Sequence, residues 1–260
     1  MIPKLLPPLT GLTVLVTRPA LQTASLCEQI ERRGGSAIAL PAIEIEPLQA
    51  PPAADHELIV FLSVYAVAHG AHLVRKAPTA RVAAIGKGTA AALAQMQMPA
   101  DIVPDAGYTS EALLSHPQLT LPPGARVLIV HGEGGRGLLQ QSFLDRGMVV
   151  ETREVYRRVR PAPGGQEIAA VERRWSEEGV DVVTLTSVET LHNLLDMLTS
   201  AGRELLSRTP LLVVSKRIGD AARAAGLCGP VIVAPSADDA AMIGAIARWR
   251  TRAREPRELP

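Results

Sequence analysis

LTVLVTRPALQTASLCEQIERRGG, residues 12–35, decides the fold. A short apolar run, TVLVT, is followed by the turn Arg18-Pro19, and a helical apolar pattern then stops at Gly34 and Gly35. A strand buried on both faces has no wet side, so it reads as unbroken Val, Leu and Ile rather than as alternation. A helix that ends at glycine uses the residue that takes the left-handed conformation at no steric cost. The stretch is one strand–turn–helix unit of a parallel sheet. It recurs as ARVLIVHGEGGRGLLQQSFLDRG at residues 125–147.

Three more segments follow each copy in the same order. LIVFLSVYAV (58–67) matches VVTLTSVETL (182–191), and RVAAIGKGTAAALAQMQM (81–98) matches LLVVSKRIGDAARAAGL (211–227). ADIVPDAGYTSEALL (100–114) matches PVIVAPSADDAAMIG (230–244). Two copies of one α/β unit, over residues 12–118 and 126–248, predict a bilobed molecule that works in the cleft between its lobes. The strand candidates are TVLVT, AIALPAI, LIVFL, RVAAI, DIVP, RVLIV, VVETREVY, DVVTLT, LLVVS and VIVAP. They alternate with helical patterns that stop at glycine, at residues 21–33, 138–146 and 221–225. The class is α/β, doubly wound, with parallel sheets.

Two segments depart from the pattern: AIALPAIEIEPL (37–48) and VVETREVYRRVRP (149–161). Each exceeds a usual strand, turns polar towards its end and reaches a proline, so they are expected to be paired extended crossovers, a two-stranded connector. The first βα unit then packs with the later segments of the second copy. Domain 1 is expected to be residues 1–45 with 160–250, and domain 2 residues 46–159 including the connector strands. Residues 251–260, TRAREPRELP, read as a charged disordered tail.

Composition removes several function classes. Net charge is +1, so no global field recruits nucleic acid or an acidic membrane, and aromatics at 3% leave little for base stacking. The two cysteines, Cys27 and Cys228, form neither a CxxC nor a disulfide framework, which suits a reducing cytoplasm. The apolar start MIPKLLPPLTGLTVLV is broken by Pro3, Pro7 and Pro8, so neither a signal peptide nor a membrane span is expected. No long apolar edge is left over, which favours a monomer.

In an open parallel sheet, ligands bind beyond the carboxyl ends of the strands. The residues there are Arg18, Ser63, Gly86, Lys87, Thr89, Gly132, Arg136, Ser187, Ser215, Lys216 and Arg217. Hydroxyls, glycine amides and cations without a carboxylate cluster suit an anionic ligand held by backbone N–H groups and helix N-termini. GKGT at 86–89 is not a phosphate loop, because Gly88 separates Lys87 from Thr89. HGEGGRG at 131–137 reads either as a tight turn or as a ligand contact. Ser63 and Ser187 lack a nucleophile elbow and are candidate helix caps. Arg18 is a surface cation or a ligand contact. His69 and His72 share one predicted helix face, but no third ligand is near, so no metal site is expected.

Taken in order, the segments resemble the uroporphyrinogen-III synthases over residues 12–248. The carriers are VLVTRP (14–19), LPAIEIEPL (40–48), FLSVYAV (61–67), AAIGKGTAAAL (83–93) and GEGGRGLL (132–139). LTS (185–187), VVSKRIGDAARAAGL (213–227) and the run GMVVETREVYRRV (147–159) complete them. The resemblance implies two flavodoxin-like domains with the active site in the interdomain cleft and no cofactor. It implies an enzyme that closes hydroxymethylbilane, a linear tetrapyrrole with eight carboxylates, to uroporphyrinogen III through an azafulvene and a spiro intermediate, with hydroxymethylbilane synthase upstream. The family's implicated tyrosine falls on Tyr156 as a catalytic donor to the leaving hydroxyl, and its implicated threonine on Thr89. Lys216 and Arg217, with Ser215, would meet substrate carboxylates. Val64 and Tyr65 stand where many members carry Pro and Asn. Two non-enzymatic readings fit the same architecture, a bilobed anion receptor and a regulatory sensor with a degenerate synthase fold.

Overall fold

Along the first strand, Leu15 turns to one face of its sheet and Val14 and Val16 to the other, and all three are fully buried. Each face meets helices, which is why the run carries no polar alternation. The computed structural model describes residues 7–105, 107, 109–135 and 137–254, without the side chains of residues 253 and 254. The strands are β1 (Thr13–Val16), β2 (Ser36–Ala39), β3 (Glu44–Pro47), β4 (Leu58–Phe61), β5 (Arg81–Ala84), β6 (Arg126–Gly132), β7 (Val149–Val159), β8 (Val182–Leu185), β9 (Leu211–Val213) and β10 (Val231–Val233). The helices are α1 (Ala20–Glu31), α2 (Val64–Gly70), α3 (Lys87–Gln95), α4 (Ser110–Leu114), α5 (Leu138–Asp145), α6 (Gly165–Glu178), α7 (Val188–Met197), α8 (Ser200–Arg208), α9 (Lys216–Ala224) and α10 (Asp239–Arg254).

The chain forms two compact units. Unit 1 takes Met1–Glu44 and Arg160–Pro260, and unit 2 takes Ile45–Val159. In unit 1 the strand order is β10-β9-β8-β1-β2, with every pair parallel. Counted in chain order within the unit, this is 2-1-3-4-5, the flavodoxin-like arrangement. One face carries Trp175 of α6, Leu191 and Leu194 of α7, Leu206 of α8 and Ile218 of α9. The other carries Leu26 and Ile30 of α1 with Met242 and Ile246 of α10.

In unit 2 the order is β3-β7-β6-β4-β5, with β7, β6, β4 and β5 mutually parallel. Ile102 adds a parallel bridge to Ala83 of β5. Read from β7, the series β7-β6-β4-β5-Ile102 repeats β2-β1-β8-β9-β10 of unit 1, and β3 is an addition beside β7. Each sheet therefore draws its first two strands from one sequence copy and the rest from the other. Ile59 and Phe61 of β4 face α2 and α3 on one side, while Leu58 and Val60 face α4 and α5 on the other.

Four sequence expectations need correction. AIALPAIEIEPL is not one strand. Leu40 and Ala42 continue beside β1, each donating its N–H at 2.9 Å to Val16 and Thr17, but Pro41 between them has no N–H, and β3 starts only at Glu44. DIVP makes a single bridge rather than a strand, with Pro104 ending the donor series. α1 stops at Glu31, short of residue 33, and the left-handed Gly34 (φ 80°) follows. The predicted tail is helical to Arg254, since nothing in TRAR breaks a helix before Pro256; residues 255–260 lie outside the described residues. Among the described residues, no helix is long and apolar enough to cross a membrane.

Phe143 of α5 is fully buried against β4 and β6 and is among the largest such side chains. Phe143→Ala should cost about 3–5 kcal/mol, read as a lower urea midpoint at unchanged slope.

Candidate active site

In sheets of this strand order, ligands bind at the carboxyl edge where the connections diverge, a point that falls between β1 and β8 in unit 1 and between β6 and β4 in unit 2. The two points differ. In unit 1 the edge is sewn shut by two fully buried threonines. Thr17 Oγ1 donates to the Thr184 carbonyl, the Thr17 amide donates to Thr184 Oγ1 at 3.2 Å, and Thr184 Oγ1 donates to the Leu15 carbonyl at 3.3 Å.

Arg18, next along, is not a surface cation. It is 7% exposed, and its Nη1 donates to Asp239 Oδ1 at 2.7 Å, at the start of α10. Thr23 Oγ1 donates to the Arg18 carbonyl. The guanidinium thus ties α10 to the end of β1.

In unit 2 the edge carries a side chain that crosses it. β6 and β7 run in even register from Arg126–Val149 until a bulge between His131 and Gly132 brings Gly132 opposite Tyr156. The bulge and the pleat lay the Tyr156 ring over Gly132, where an added Cβ would stand 2.4 Å from the ring carbon that bears the hydroxyl. The ring passes over β6 to reach β4, and Tyr156 Oη lies 3.0 Å from Ser63 Oγ. Tyr65 and His69 of α2 flank it, with ring centroids at 5.8 and 6.4 Å. Tyr156 is 3% exposed, so its hydroxyl works in a largely desolvated setting, where a hydrogen bond is electrostatically stronger. The Glu133 amide donates to the Tyr156 carbonyl at 2.8 Å, fixing the backbone under the ring. Next to it, Arg157 is held on Glu46 of β3; that hydrogen bond, then the Glu46 charge, pushes its pKa above the usual arginine value.

The helices that leave the strand ends fall into two kinds. α2 and α7 are capped by serine: Ser63 Oγ accepts the Ala66 N–H and Ser187 Oγ the Thr190 N–H, each at 2.9 Å. α3 and α9 begin at Gly86 and Ser215 without any side-chain cap. Their first-turn N–H groups remain available to an anion. Each of the two opens on an exposed lysine, Lys87 and Lys216, and Arg217 follows, also exposed. None of the three makes an ion pair among the described residues. Thr89 is buried in the first turn of α3. Arg136 lies outside the described residues.

Two sequence readings shift here. Gly132 belongs to β6 rather than to a turn, and its lack of a side chain makes room for a ring from the next strand. His69 and His72 do not share a helix, because α2 ends at Gly70 and a 3-10 turn holds Ala71–Leu73. His69 is half-buried beside Tyr156, whereas His72 is exposed. Among the described residues, no group of three or more His, Cys, Asp or Glu side chains could hold a metal ion.

The family model described as uroporphyrinogen-III synthase HemD matches residues 24–244, most of the chain. The chain belongs to the uroporphyrinogen-III synthase family. The uroporphyrinogen-III synthase of Salmonella typhimurium is 35% identical over 249 residues, covering 90% of this chain and all of that one. The Escherichia coli uroporphyrinogen-III synthase is 34% identical with the same coverage. Among solved structures, the uroporphyrinogen-III synthetase of Helicobacter pylori superposes with a TM-score of 0.57 at 12% identity, over 92% of this chain and 100% of that one. A mutant uroporphyrinogen III synthase of Thermus thermophilus gives a TM-score of 0.52 at 20% identity, over 93% and 99%. At such identities the structures establish the shared fold of the family.

Within this synthase fold, Gly132 is the position least able to accept a side chain without moving Tyr156. Gly132→Ala should push the ring off Ser63 and cost about 1–3 kcal/mol of stability. Urea denaturation reads the cost, and the near-ultraviolet tyrosine signal reads the displacement.

Proposed function

We propose that the protein closes hydroxymethylbilane to uroporphyrinogen III with inversion of the last ring, as a cyclising lyase, and that Tyr156 assists departure of the terminal hydroxyl. The observation that carries this reading is the hydrogen bond between the buried Tyr156 and the half-buried Ser63 at the carboxyl edge of the unit 2 sheet.

When the substrate's terminal C–O bond breaks, its electron pair stays on the hydroxyl oxygen, and the lone pair of the adjoining pyrrole nitrogen completes a cationic azafulvene. A phenol O–H aimed at that oxygen meets the charge as it develops, which is where a preorganised donor lowers a barrier most. The substituted carbon of the last ring then attacks to give the spiro intermediate, which fragments and recloses; over the whole sequence one water is lost. Because the unassisted bilane closes to the I isomer, the protein must also hold the rings so that the inverted closure wins, a task of positioning.

Eight carboxylates supply the handles for that positioning. The uncapped first turns of α3 and α9, with Lys87, Thr89, Lys216 and Arg217, are our assignment for carboxylate contacts, and Gly86, Ser215 and Ser187 frame them with backbone groups. Arg18, which pairs with Asp239 through Nη1, is our assignment for support of the edge. Hydroxymethylbilane synthase is the enzyme class that would supply the substrate.

Hydroxymethylbilane supplied to the protein should give the III isomer; a product that is only the I isomer would overturn the assignment and favour a binding or sensing role. Tyr156→Phe should lower kcat on the order of 10- to 100-fold while the protein stays folded, and unchanged turnover with unchanged isomer purity would remove Tyr156 from the mechanism. Lys87→Ala, Lys216→Ala and Arg217→Ala combined should raise KM on the order of 10-fold, with less effect at high ionic strength.

A further inference from the structure

We propose that Ser63 is a positioning residue for Tyr156: it donates its own proton to Tyr156 Oη and so turns the phenol O–H outward to the leaving hydroxyl. The inference rests on the reading of Tyr156 as the donor.

A serine hydroxyl has one proton to give and two lone pairs to receive with. One lone pair of Ser63 Oγ is taken by the Ala66 N–H at 2.9 Å, which fixes the oxygen at the start of α2. What remains, a proton and a second lone pair, faces Tyr156 Oη at 3.0 Å. The pair can therefore be ordered in two ways. If the phenol donates to Ser63, its proton points into the protein and cannot serve a substrate oxygen. If Ser63 donates to the phenol, the phenol proton is free to point at the substrate.

The bond from Ala66 favours the second order, because a hydroxyl that accepts a hydrogen bond becomes a better donor through its own proton. The same order strengthens the phenol, whose oxygen then accepts from Ser63 while giving to the departing hydroxyl. The ring has little freedom to avoid this geometry. It lies against Gly132 on one side, where even a Cβ would collide at 2.4 Å, and Tyr65 and His69 stand beside it. The chain Ala66 N–H to Ser63 to Tyr156 to substrate runs in one direction, with each hydroxyl accepting from behind and donating forward.

The experiment is a double-mutant cycle on steady-state turnover of hydroxymethylbilane, with the III to I isomer ratio recorded. Ser63→Ala should lower kcat about 10-fold or more with KM within about 2-fold of the parent, the pattern of an interaction made in the transition state. Ser63→Thr keeps the hydroxyl and should recover most of the rate. Ser63→Asp keeps an acceptor for the Ala66 N–H, and with it the helix cap, but an ionised carboxylate has no proton to donate; it should lose rate as Ser63→Ala does. In the Tyr156→Phe background, Ser63→Ala should change kcat by less than about 2-fold. Equal losses from Ser63→Ala in both backgrounds, or full activity of Ser63→Asp, would reduce Ser63 to a helix cap and overturn the proposal. A slow Tyr156→Phe beside a fast Ser63→Ala sinks the Ser63 role alone. A fast Tyr156→Phe sinks the reading on which it rests.

Discussion

Tyr156 can cross β6 because position 132 has no side chain. That clearance, with the bulge between His131 and Gly132 that sets the register, carries a phenol from β7 to the end of β4, where it meets Ser63. Everything distinctive about the site follows from it. The tyrosine is buried and fixed by the strand pairing beneath it, and the half-buried serine is fixed by the first turn of α2. A hydrogen bond from such a pair costs little to aim, since the reorganisation was done when the chain folded.

The repeat explains why this crossing exists once. Both units share the flavodoxin-like order, each built from the opening strands of one sequence copy and the later strands of the other. At equivalent strand edges they differ. Unit 1 bonds its edge together through Thr17 and Thr184, and unit 2 lays the buried Tyr156 ring across its edge. The features kept in common are the uncapped starts of α3 and α9, each opening on an exposed lysine. Each unit thus keeps one helix start of that kind.

The fold was legible because parallel strands buried on both faces leave an unmistakable mark, as TVLVT and LIVFL do. The serine caps of α2 and α7 were legible too, since each serine sits between an apolar run and a helical pattern. Other features were hidden because they depend on pairing across long stretches of chain. Arg18 read as a surface cation or a ligand contact, and its partner Asp239 lies 221 residues away. Gly132 looked like part of a glycine-rich turn, and its purpose appears only when the register places Tyr156 opposite. The break at Pro41 could have been foreseen from the missing N–H, but the apolar residues around it suggested continuity. His69 lies beside Tyr156, and it parts from His72 because α2 ends one residue later.

We place the proposed reaction at the β4–β6–β7 edge of unit 2, around Tyr156. A crystal structure with uroporphyrinogen III bound tests this most directly. It should place the macrocycle within about 3.5 Å of Tyr156 Oη, hydrogen-bond reach, with a carboxylate on the first amides of α3. A macrocycle bound away from that edge, with Tyr156 still turned only to Ser63, would contradict it.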